Sequence, residues 1–133
     1  MAFIDDRSIA DDVVLVRVLR YASWAYPEEQ PIRPSSVAFF DSNGENSCFI
    51  AAESDFTRLA ERFPDQKYGA ITVGSARAAG FLVWRDDEGA QDLPGHVIVG
   101  FKLTDTNLPA YRKAAGRLTK SGTIYAPPRP EEP

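Results

Sequence analysis

The side chains able to do chemistry in this chain are few and far apart. Its one histidine, His96, follows Pro94-Gly95 and opens the apolar run His96-Val-Ile-Val-Gly100. Histidine is the side-chain type whose ordinary pKa lies nearest neutrality, so an acid–base enzyme built on this sequence would use it. A nucleophile would come from Ser35, Ser36, Ser47 or Cys48, none of which stands in a nucleophile-elbow motif or a known cysteine-enzyme context. Arg33 can clamp an anion, with Ser35 and Ser36 donating hydrogen bonds beside it. Together these residues describe an enzyme acting on an anionic or phosphorylated small substrate. Arg33 would be the clamp, His96 the acid–base, and Ser35 or Ser36 an assistant. That reading requires Arg33 and His96 to meet in one cleft. The competing reading of His96 is an edge residue with a single backbone hydrogen bond.

A single histidine excludes a multi-histidine metal site, and a single cysteine excludes an internal disulfide. Asp86-Asp87-Glu88-Gly89 and Asp92 gather carboxylates without the spacing of an EF-hand loop. Neither GxGxxG nor GxxxxGK[ST] occurs, so no metal and no nucleotide cofactor is expected. Cys48 lies in an apolar run with no adjacent cation, which predicts a buried, inert thiol.

Two stretches suit binding better than catalysis. Tyr21 to Ser36 sets Tyr21, Trp24 and Tyr26 beside Pro27, Pro31, Pro34 and Arg33. Aromatics on a proline-stiffened loop lose little entropy on binding, and Tyr, Trp and Arg are the common anchors of interfaces. The leading expectation is therefore a small accessory domain that binds a protein partner through Trp24, Tyr26 and Arg33. The alternative is that Trp24 and Tyr26 fold back over the sheet. The second stretch carries Arg112, Lys113, Arg117 and Lys120 with no acid among them. It suits a phosphate, a nucleic-acid backbone or an acidic protein surface, or else it is a solvated helix face complementing the helix dipole.

The rest of the chain must position these groups. At 133 residues, 44% hydrophobic, it can bury roughly two-thirds of its unfolded surface as one domain. The net charge of −4 gives no general attraction to nucleic acid or anionic membrane. No run approaches the roughly eighteen apolar residues of a membrane helix, and Arg17 interrupts the densest one, Val13 to Leu19. An acidic start without a basic-then-apolar pattern argues against a secretory signal, and a lone thiol suits a reducing compartment. The expectation is a cytoplasmic protein with a flexible acidic segment over 1–12, one domain over 13–126 and a Pro/Glu-rich tail over 127–133.

Four valines in six residues predict a strand over Val13 to Tyr21, followed by a proline-rich loop to Pro34. Ser36 to Phe40 and Ser47 to Ala52 flank Asp41-Ser42-Asn43-Gly44, which predicts an antiparallel hairpin. Ser54 reads as the cap of a helix whose stripe is Phe56, Leu59, Ala60 and Phe63, stopped by Pro64. Strands are predicted over Gly69 to Val73, Phe81 to Arg85 and His96 to Leu103. A short helix ending at Gly80 and a longer one from Leu108 to Lys120, capped by Asn107, complete the core, with an edge strand over Thr123 to Ala126. The fold class is α+β: a mostly antiparallel or mixed sheet of about five to six strands with two to three helices packed on it.

Arg33-Pro-Ser-Ser-Val-Ala-Phe-Phe40, then Ala70-Ile-Thr-Val-Gly-Ser-Ala-Arg77, then His96-Val-Ile-Val-Gly100 resembles a pattern in small bacterial proteins with no established activity. The resemblance spans about Val13 to Leu118. It implies a bacterial cytoplasmic protein with Arg33, Ser35, Ser36 and His96 at a common site, and it assigns none of them a role.

Overall fold

The computed structural model describes residues 3–86 and 93–128. Six strands form one antiparallel sheet: β1 (Val14–Leu19), β4 (Glu45–Ile50), β5 (Lys67–Thr72), β6 (Leu82–Arg85), β7 (His96–Gly100) and β8 (Thr123–Tyr125), in the order β6-β7-β4-β1-β5-β8. A separate two-stranded ribbon pairs β2 (Ala25–Tyr26) with β3 (Arg33–Pro34). Helices α1 (Phe56–Arg62), α2 (Val73–Ala79) and α3 (Leu108–Lys120) complete an α+β domain.

Alternation along the strands divides the side chains between two faces. Leu15, Cys48, Ile50, Ile71, Val97 and Val99 share the first face with α2, α3 and a 3-10 turn over Ser36–Phe39. Val16, Val18, Phe49, Tyr68 and Ala70 share the second, under Leu59 of α1 and Leu93. Both faces are covered, which is why β1, β5 and β7 read as nearly continuous apolar runs.

Local chemistry sets the helix ends. Asp55, rather than Ser54, caps α1 by accepting from the Arg58 amide, while Ser54 Oγ donates to the Ile50 carbonyl. Thr72 caps α2, and Gly80 ends it in the left-handed conformation at φ 104°. Asn107 precedes α3 without capping it. Its amide instead accepts from the Thr104 N–H and donates to the Lys102 carbonyl.

Beyond these caps, two expectations need correction. Ser36 to Phe40 is not a hairpin strand. Ser36–Phe39 winds into a 3-10 turn that buries Ala38 and Phe39 against the first-face core, and β4 takes β1 and β7 as its neighbours. Gly44, at φ 76°, still makes the turn into β4, and a Cβ there would collide with the Phe101 carbonyl oxygen. The acidic start is also tied down over its described residues. Arg77 binds Asp5 and Asp11, Ile9 is buried, and Val83 on the outer edge of β6 exchanges hydrogen bonds with Asp5 and Asp6. Residues 87–92 of the acidic loop and 129–133 of the tail lie outside the described residues.

Candidate functional site

The site begins with a charge in an apolar strand. Alternation along β1 sends Arg17 to the first face, where its side chain is only 4% exposed. A guanidinium there must be fully partnered, since desolvating an unpaired charge costs several kcal/mol. Its Nε donates to the Ala38 carbonyl, Nη1 to the Ser47 carbonyl at 2.7 Å and Nη2 to Asp41 Oδ1 at 3.0 Å. The rings of Trp24 and Phe39 lie 4.7 and 5.6 Å from it.

This arrangement opens the sheet. The β1–β4 register runs only from Leu15↔Ile50 to Val16↔Phe49. Beyond that pair the strands part, and the Ser47 carbonyl meets Arg17 Nη1 in place of a strand amide. The parting leaves a cavity of about 190 Å³ lined by Arg17, Arg20, Asp41, Ser47, Arg62 and His96, with Val18, Phe49, Phe63 and Leu93 as its apolar wall.

His96 starts β7 directly opposite Phe49, whose ring centroid lies 5.2 Å from the imidazole. The residue is 8% exposed. Its Nδ1 lies 3.1 Å from the Asp86 carbonyl oxygen and 3.5 Å from Asp86 Oδ2. A carbonyl oxygen can only accept, so Nδ1 carries the proton in the neutral ring and Nε2 keeps its lone pair. The partners thus assign the tautomer. The Ser47 hydroxyl, in contact with Nε2, must then be the donor. Ser47 itself is exposed between buried Asn46 and Cys48. An exposed hydroxyl, a buried imidazole and a carboxylate-bearing residue are therefore linked in succession beside a cavity that Arg17, Arg20 and Arg62 also line.

The residues singled out in the sequence divide between two places. His96 belongs to this cavity. Arg33, Ser35 and Ser36 line a different hollow of about 310 Å³ with Tyr26, Thr119 and Lys120. Pro34 packs over Gly69 and Gly122 on the first face, whereas His96 points to the second. Arg33 and His96 therefore do not converge, and the common site that the resemblance implied is not formed. Within its hollow Arg33 lies 4.6 Å from the Tyr26 ring, and Ser35 Oγ donates to the Ser23 carbonyl.

The aromatic loop also divides. Trp24 is 9% exposed and packs on Arg17 and Tyr21, so it is a core residue rather than an accessible contact. Tyr26 and Ile32 remain open at 53% and 69%. On α3, Arg112 lies over the Phe40 ring and Arg117 donates to the Ala79 carbonyl, while Lys113 and Lys120 are exposed. Cys48 is fully buried, and burial pushes its thiol up to about 12.

Sequence reasoning missed Arg17, which had counted only as a break in an apolar run. Its signal was the cost of one charge within six strand residues. Among the described residues, no three His, Cys, Asp or Glu side chains gather as a metal site needs, and no helix is long and apolar enough to cross a membrane. Comparison with protein-family models, with curated proteins and with solved structures finds no match to this chain.

Proposed function

We propose that the protein binds a small anionic ligand in the cavity between β1 and β4 and moves a proton at that ligand through His96. One observation carries this reading: the Ser47–His96–Asp86 chain opens onto a cavity lined, among the described residues, by Arg17, Arg20 and Arg62 and by one carboxylate, Asp41. The clamp of the sequence-based enzyme reading thus passes from Arg33 to this arginine group, and the serine from Ser35 or Ser36 to Ser47. A volume of about 190 Å³ falls below the roughly 300–1,000 Å³ of sites for drug-sized ligands, so a phosphate or short carboxylate suits it better than a nucleotide. A reducing cytoplasm is the compartment assumed, in keeping with the single buried thiol of Cys48.

Titration with inorganic phosphate or succinate, followed by thermal unfolding, tests the reading. At tenfold excess over Kd the ligand should stabilise the fold by about 1.4 kcal/mol, a rise in Tm of roughly 5 °C. Combined Arg20→Ala and Arg62→Ala should abolish the rise, and Arg33→Ala should leave it. The opposite pattern would move the site to the other hollow.

A second reading keeps the expected protein partner. It is favoured by Tyr21, Tyr26 and Ile32, all exposed around the same proline-rich loop. It predicts that Tyr26→Ala and Ile32→Ala together release a co-purifying protein that the Arg20→Ala variant still retains.

A further inference from the structure

We propose that the hollow between the β2–β3 ribbon and α3 is a second binding site, for a phosphate monoester carried on an aromatic ring. It shares no lining residue with the cavity between β1 and β4 and does not depend on proton transfer there.

The first sign is Gly116. It lies inside α3, where only proline is a poorer helix residue than glycine. Packing does not call for it. A Cβ at Gly116 would meet nothing within 4 Å beyond the backbone of its own helix. Gly69 and Gly122 differ, since a Cβ there would come within 2.8 and 3.0 Å of the Pro34 ring. The ribbon therefore docks tightly at Pro34, while the gap at Gly116 stays open in the wall of the hollow of about 310 Å³.

The second sign is a set of polar groups without partners. The Arg33 guanidinium lies 4.6 Å from the Tyr26 ring centroid and makes no hydrogen bond or ion pair with the described residues. Lys120 makes no ion pair and the Ser36 hydroxyl no hydrogen bond among them either. No carboxylate lines the hollow among the described residues. Two cations without an acid suit a dianion. A phosphate monoester carries nearly two charges at neutral pH and three acceptor oxygens, whereas a carboxylate offers one charge and two oxygens. The Arg33 fork can take two of the phosphate oxygens, leaving the third to Lys120 and Ser36. Arg33 is also held in place beforehand. It pairs with Tyr26 across the ribbon, the Ser35 amide donates to the Trp24 carbonyl at 2.8 Å, and Pro34 is buried.

The ring supplies the rest of the binding. Ion pairs open to water contribute little by themselves, so an anion held here needs an apolar part to bury. Tyr26, 53% exposed, and the bare helix backbone at Gly116 offer that part a flat surface. Inorganic phosphate lacks a ring, so it leaves this hollow largely empty.

Phenyl phosphate is the probe, titrated calorimetrically into the full chain, with inorganic phosphate and phenyl sulfate as controls. Phenyl phosphate should bind about tenfold more tightly than either control, since one lacks the ring and the other the second charge. Arg33→Ala and Lys120→Ala should each weaken it about tenfold. Gly116→Ala should raise the Tm of the free protein by about 3 °C, because nothing opposes its methyl group. Gly116→Leu should fill the gap and remove binding. A glycine kept for packing would give a lower Tm in both variants. A short blocked peptide with a central phosphotyrosine separates two sources of the same chemistry. Tighter binding of the peptide assigns the site to a phosphorylated side chain of a partner, and tighter binding of phenyl phosphate to a small molecule. The inference is overturned if phenyl phosphate does not bind, if Arg33→Ala binds it equally well, or if Gly116→Ala lowers the Tm. Combined Arg20→Ala and Arg62→Ala should bind phenyl phosphate like the wild type. Loss of binding in that variant would hand the ligand to the cavity between β1 and β4 and overturn the second site alone.

Discussion

Arg17 and Arg33 each lie against an aromatic ring, near a serine and beside a cavity, yet they are held in opposite ways. Arg17 is buried, donates three hydrogen bonds and has Trp24 and Phe39 near its guanidinium. Arg33 is half-buried against Tyr26, and its guanidinium makes no hydrogen bond or ion pair with the described residues. The difference is one of dielectric surroundings. In a strand of the core a cation survives only when every neighbour is arranged around it, so Arg17 organises β1, β4 and the Ser36–Phe39 turn together. On a ribbon open to water Arg33 needs no such arrangement, and its removal asks little of the fold.

That contrast breaks most readily through the two arginines themselves. Arg17→Met should cost about 4 kcal/mol in urea unfolding, because the Ala38 and Ser47 carbonyls and Asp41 lose their partner. Arg33→Met should stay within about 0.5 kcal/mol. Equal costs would remove the distinction. The aromatics sharpen it next. Trp24→Ala should cost about 3 kcal/mol by leaving a cavity beside Arg17, and Tyr26→Ala less than about 1.

A further effect, smaller than those at Arg17 and Trp24, is in alkaline solution and reports on the first face. Burial raises the Cys48 thiol from 9.0 to about 12 and the Tyr111 phenol from 10.0 to about 12. Both groups hold their protons in the folded chain after the unfolded chain has lost them. The stability they protect is complete below pH 9 and declines as pH rises from 9 toward 12. Cys48 alone should account for about 1.4 kcal/mol by pH 10. Cys48→Ala should flatten that part of the pH profile, measured by urea unfolding from pH 8 to 10.5. An unchanged slope would mean that the thiol ionises in place.

What the sequence makes legible follows the reach of each interaction. The stripe ending at Phe63, the Gly80 stop and the Leu108 to Lys120 helix are local patterns, and each forms close to its predicted bounds. The 3-10 turn over Ser36–Phe39 was not readable, because Val37 to Phe40 is as apolar as a strand and only contact with α3 decides its shape. The candidate site depends on longer reach still. His96 and Ser47 were visible as residue types, but Ser47 stood among four possible nucleophiles. Only the antiparallel register of Phe49 with His96 brings its hydroxyl to Nε2. Arg33 pointed elsewhere because the β2–β3 ribbon docks on the opposite side of the sheet.

The acidic start has a consequence for self-association. β6 lies at one margin of the sheet, and Asp5 and Asp6 occupy the outward amide and carbonyl of Val83. Arg77 locks that segment through Asp5 and Asp11. The Asp5 carboxylate and the Asp6 backbone amide therefore act as a cover that denies a second chain its template for strand pairing. A protein trimmed past Asp11 would present an open β6 margin and a half-buried arginine stripped of its counter-ions. Such a chain would gather into oligomers as its concentration rises, while keeping its cavity between β1 and β4 intact.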